Sequence, residues 1–127
     1  PARVRRIRCL ERCGRFEDAI AERERGGAAQ RAGEFREAFA RNGAEGYREA
    51  RRNELRAQLA ALEPALTQRG PEVAADMFNP PHLRAALGYA ELDDWDGVRR
   101  CEALAVARTP SWRRWFTGRP ELAPLYD

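Results

Sequence analysis

The stretch H-L-R-A-A-L-G-Y-A-E-L-D-D-W-D-G-V-R-R-C-E-A-L-A-V-A-R-T-P, residues His82 to Pro110, decides the fold. Leu83, Ala86, Leu87 and Ala90 recur at helical spacing. After Asp93-Asp94 the pattern restarts with Trp95, Val98, Cys101 and Leu104 or Ala105. The acidic pair is read as a tight turn, because a short carboxylate can cap the free N–H groups of the next helix. Ala86, Gly88 and Ala90 are small enough for two helices to approach closely. One such hairpin cannot bury its apolar side alone, so it must pack on neighbours.

Working outward, the same register appears near the start of the chain. C-L-E-R-C-G-R-F-E-D-A-I (Cys9–Ile20) aligns with G-Y-A-E-L-D-D-W-D-G-V-R (Gly88–Arg99) at a constant offset of 79 residues. Leu10 then matches Tyr89, Phe16 matches Trp95, and Ala19 matches Val98. Helices are expected over 2–13, 16–25 and 28–41, with Val4, Ile7 and Leu10 on the inner side of the first. Asn42-Gly43 is a stop signal. A long helix starts near Ala44, with Tyr47, Ala50, Leu55, Leu59, Leu62 and Leu66 inward. Pro64 should kink or end it, since proline lacks the ladder N–H. Gly70-Pro71 reads as a loop and 73–78 as an ambiguous segment, with a helix beginning at Asn79-Pro80-Pro81. The next helix spans 94–107, and S-W-R-R-W-F (Ser111–Phe116) forms a last aromatic segment.

Composition agrees with an all-α reading. Of 127 residues, 34% are charged, a value suited to helices with one wet face. All 23 basic residues are arginine, offset by 20 acidic ones to a net charge of +3. Abundant Ala with Arg suggests a bacterial, GC-rich coding bias, so arginine richness alone is no signal for nucleic acid. The three cysteines are too few and odd in number for a disulfide framework. No signal peptide and no membrane-length apolar run is found. The chain is therefore expected to be one cytoplasmic helical domain over residues 1–127, and a piece of a larger protein.

These residues resemble tetratricopeptide repeats. Gly14, Phe16 and Ala19 fit the repeat in the first hairpin; Tyr89, Asp93, Trp95, Ala105 and the closing Pro110 fit it in the last. Val98, Glu102 and Gly26 depart from it. From about Phe35 onward the chain also resembles the C-terminal repeat modules of bacterial regulatory proteins, namely winged-helix regulators, cyclases and Ser/Thr kinases. That likeness rests on N-G-A-E-G-Y (Asn42–Tyr47), the Leu-rich helix, Y-A-E-L-D-D-W-D, and P-E-L-A-P-L-Y-D (Pro120–Asp127). It implies six to seven helices stacked as hairpins in an α-solenoid, and a regulatory module that binds protein or pairs with its own copy, without activity of its own.

Carried over from the family, the concave face takes Arg5, Arg8, Glu11 and Arg12 from the first unit and Arg84, Leu87 and Glu91 from the last. Arg5, Arg8 and Arg12 share a helix face. Guanidinium forks there suit an acidic protein or a peptide C-terminus; the plain alternative is a solvated face. Cys9, Cys13, Cys101 and His82 could in sum ligate zinc, but burial of the thiols as small hydrophobes is the simpler account, so no metal or cofactor is expected. His82 has no nucleophile or phosphate loop beside it, and no catalytic residue is assigned. Trp112, Trp115 and Phe116 with Arg113 and Arg114 could stack single-stranded nucleic acid. Their spacing instead favours a cap with the aromatics inward, and nucleic acid is not the expected partner. A ligand-sensing domain is the alternative from another class.

Overall fold

The computed structural model describes residues 2–27, 29–68 and 81–126; the loop and segment expected over 70–80 lie outside them. Every element among the described residues is helical: α1 (Ala2–Arg12), α2 (Phe16–Arg25), α3 (Ala29–Gln68), α4 (Pro81–Glu91), α5 (Trp95–Arg108) and α6 (Arg113–Thr117), with 3-10 turns at Pro110–Trp112 and Pro120–Leu125. They group into two compact units, Pro1–Glu54 and Leu55–Asp127.

The α1–α2 and α4–α5 turns are the same structure. Arg15 N–H donates to Leu10 O at 2.9 Å, and Asp94 N–H donates to Tyr89 O at 2.9 Å. One bond further in, Gly14 N–H reaches Glu11 O and Asp93 N–H reaches Ala90 O. Together these satisfy the orphan carbonyls at a helix end in the paired 6→1 and 5→2 pattern. That pattern needs a positive φ at its centre, supplied by Gly14 (76°) and by Asp93 (59°). Aspartate is among the few side chains that tolerate it, and the Asp93 carboxylate also accepts from Trp95 Nε1 at 2.8 Å. Asp94 caps α5 by accepting from Gly97 N–H at 3.0 Å, as its position indicates. Arg15, at the matching place, makes no such cap. There Glu17 and Asp18 in the first turn of α2 meet the helix dipole instead.

The continuous stretch called α3 is two helices. Phe35 and Tyr47 are twelve residues apart, about 18 Å in a straight helix, yet their rings lie 4.8 Å apart. The reversal sits at Asn42-Gly43, where Gly43 takes φ 59°, ψ −140°. The stop signal in the sequence is therefore real. Gly46 is the point of closest approach: a Cβ there would run into the backbone carbonyl of Ala38. Pro64, by contrast, does not end the helix, which continues to Gln68. The lost N–H is offset by burial of Leu59 and Leu66 on either side of it, with Leu62 packed beside them.

In the first unit Phe16, Ala19, Ile20, Phe35 and Tyr47 form the core, with Ile7 and Leu10 half-buried on it. Val4, expected inward, is 55% exposed, and α1 buries no residue fully. The reason is geometric: apolar residues spaced by three drift about 60° per step around a helix, so Val4 and Leu10 cannot both face in. The second core gathers Leu59 and Leu66, Leu83 and Ala86, Val98, Cys101 and Ala105, Phe116 and Leu122. Tyr89 and Trp95 pack half-buried against it, and the Tyr89 ring lies where a Cβ on Gly97 would be, 2.5 Å away. Pro110 follows α5 as a closing residue and opens the first 3-10 turn. Of the expected aromatic cap only Phe116 is fully buried; Trp115 is 45% exposed and stacks on Trp112 with centroids 5.6 Å apart. The change from 3-10 turn to α6 between them breaks the single-face register.

Candidate functional site

Arg5 and Arg12 project from α1 into solvent, and no carboxylate among the described residues pairs with either. Arg8, between them on the same face, lies 3.6 Å from Glu11. In the second unit Arg84 and Glu91 are exposed on α4, whereas Leu87 is half-buried against the core and serves packing. The two sets belong to different units.

Glu11 does not face a groove. It belongs to a buried charge network centred on Arg23, whose guanidinium donates to Glu11 at 3.1 Å, to Glu54 at 2.7 Å and to the Tyr47 hydroxyl at 3.2 Å. Tyr47 donates in turn to Glu11, and Arg51 donates to Glu54. The Arg23 guanidinium also lies 3.9 Å from the centroid of the Phe35 ring, a favourable cation–π contact. Burial works against the charge on Arg23, but the hydrogen bond to Tyr47 and the Glu54 carboxylate outweigh it, so its proton is held more tightly than usual. Burial and the bond to Glu11 push the Tyr47 hydroxyl up. The network fastens α1 and α2 to the 44–54 helix.

Glu22 is the second buried carboxylate of this unit, ringed by Arg25 at 2.9 Å, Arg6 at 3.4 Å and Arg3 at 3.9 Å. Neither it nor Arg23 stands out in the sequence, where helical charges read as a wet face. One signal was available: at the 79-residue offset Glu22 matches Cys101, which sits in the second core.

An open groove of about 450 Å³ runs along the break in α3, lined by Glu34, Glu37, Arg41, Asn42, Glu49 and Asn53. Ala38, Gly46 and Ala50 complete its lining.

The cysteines divide. Cys101 is buried as expected, and burial pushes its thiol up to about 12. Cys9 and Cys13 are both exposed, contrary to the reading of all three as core hydrophobes. Cys9 lies on α1 and Cys13 in the turn that follows it, and the apolar contacts of α1 run through Ile7 and Leu10 instead. His82 is fully buried, and its Nε2 lies 3.0 Å from Leu66 O, tying α4 to the end of α3. Arg100 and Arg108 tie α5 to the same helix, through Glu63 and through Thr67 O at 2.8 Å. The Arg100 hydrogen bond holds the Glu63 carboxyl below its usual range. Among the described residues no helix is long and apolar enough to cross a membrane.

Comparison of the chain with protein-family models, with curated proteins and with solved structures yields no match.

Proposed function

We propose that the chain is a non-catalytic interaction module of tetratricopeptide type, which holds an acidic protein or peptide through the arginine face of α1. The observation carrying this reading is the recurrence of one helical-hairpin turn, bond for bond, at a spacing of 79 residues. A recurring hairpin is the building unit of helical repeat proteins, whose common use is protein recognition. The choice of a carboxylate partner rests on Arg5 and Arg12. Both are free to donate two parallel bonds to a carboxylate, a geometry the guanidinium fork matches.

Fluorescence anisotropy with a labelled Asp/Glu-rich peptide bearing a free C-terminus tests this. Binding is expected in the wild type, with affinity lowered about 30-fold or more when Arg5→Glu, Arg8→Glu and Arg12→Glu are combined, since two charge-assisted contacts are lost and replaced by repulsion. Absence of binding, or equal binding by the triple variant, contradicts the reading.

A further inference from the structure

We propose that Cys9 and Cys13 form a two-coordinate site for a soft monovalent cation of the Cu(I) type at the C-terminal end of α1. Both thiols are exposed. Their separation is set by the backbone, because Cys13 N–H donates to Cys9 O at 3.1 Å, one helical turn back. Residues so related carry Cβ atoms about 5–6 Å apart on one face. That is too wide for a disulfide, which needs about 3.8 Å, unless the last turn of α1 deforms. A metal ion held between the two sulfurs does not require that close approach of the Cβ atoms.

Ligand count and charge select the ion. Zinc needs four donors in a closed site, and no group of three or more His, Cys, Asp or Glu side chains able to hold a metal occurs among the described residues. Cys101 cannot contribute, being sealed in the second core. Two thiolates without oxygen or imidazole donors favour a soft cation that accepts low coordination. On binding, each thiol loses a proton to solvent and two sulfur–metal bonds form. No electron is transferred, and the complex carries one net negative charge. Arg5 lies four residues before Cys9 and Arg12 three after it, so both neighbour the thiol row. Both are exposed and free of carboxylates, and they balance that charge. Glu11, which lies between the two cysteines in sequence, is paired with Arg23.

The test is anaerobic titration of the intact chain with Cu(I) alone, in competition with the chromophoric chelator bicinchoninate, followed by X-ray absorption at the copper edge. One ion per chain with two sulfur neighbours is expected. Cys9→Ser and Cys13→Ser should each weaken retention by about 100-fold, the gain that a second tethered donor confers, with helical circular dichroism unchanged. Cys101→Ala should bind as the wild type does. Loss of all copper to the chelator, one ion shared by two chains, or retention unaffected by either serine variant would overturn the proposal. Zinc bound equally tightly in the same assay would overturn it as well.

Discussion

Gly46→Ala is expected to lower the stability of the first unit by about 3 kcal/mol or more, at the upper end of what overpacking costs. The added methyl group would stand 2.8 Å from the carbonyl carbon of Ala38 and closer still to its oxygen. Both obstacles are backbone, so no side-chain rotation relieves them. The 29–41 and 44–54 helices would have to separate, and Phe35 and Tyr47 sit between them at 4.8 Å. Their separation would loosen the core that Phe16 and Ile20 share with them. Gly33→Ala is the matched control, because a Cβ there meets nothing within 4 Å. In an exposed helical position alanine is favoured over glycine by about 1 kcal/mol, so that variant should melt higher. Thermal denaturation followed by circular dichroism reads both. Equal melting temperatures would mean that the reversal at Asn42-Gly43 does not bring the two helices into contact.

Arg23→Met is expected to cost about 3–5 kcal/mol, the range for removing one partner of a buried ion pair. The loss arises mainly from what is left behind. Glu11 and Glu54 would lose their shared partner in a site where their side chains are only 12% and 8% exposed. Adding Glu54→Gln to that variant removes one of the two carboxylates, ending only the Arg51 ion pair with it, and should recover part of the loss, a coupling that a double-mutant cycle measures. Arg23→Lys should fall between the two. An ammonium retains the charge but cannot reach Glu11, Glu54 and the Tyr47 hydroxyl together. Urea denaturation of these variants, with Glu54→Gln alone to complete the cycle, gives the values. A cycle that is additive within error would show that the Arg23–Glu54 contact at 2.7 Å contributes nothing to stability.

The hairpins were legible because their turns are local. Gly14 and Asp93-Asp94 mark breaks between helices, the acidic pair offers an N-cap, and Asn42-Gly43 marks a stop, each through residues a few positions apart. What depended on distant partners was not legible. Pro64 reads as a break until Leu59 and Leu66 are seen buried on both sides of it. Arg23 reads as one more wet arginine until chain reversal brings Tyr47 and Glu54 to it, 24 and 31 residues away. Periodicity misled at Val4 and Trp115, because a spacing of three drifts around the helix and a 3-10 turn resets the phase. Of the candidate site, Arg5, Arg8 and Arg12 fall on one helix as read, Glu11 turns to the buried network, and Leu87 turns to the core. The exposure of Cys9 and Cys13 follows from α1 contributing only Ile7 and Leu10 to packing, which spacing alone does not reveal.

Everything rests on the claim that one hairpin turn occurs twice in this chain. Amide hydrogen exchange by NMR examines it directly through Arg15 and Asp94, the two donors of the 6→1 bonds. Both amides should be protected, with chemical shifts placing Gly14 and Asp93 in the left-handed region. An unprotected amide at either position, or extended shifts across either turn, would contradict it.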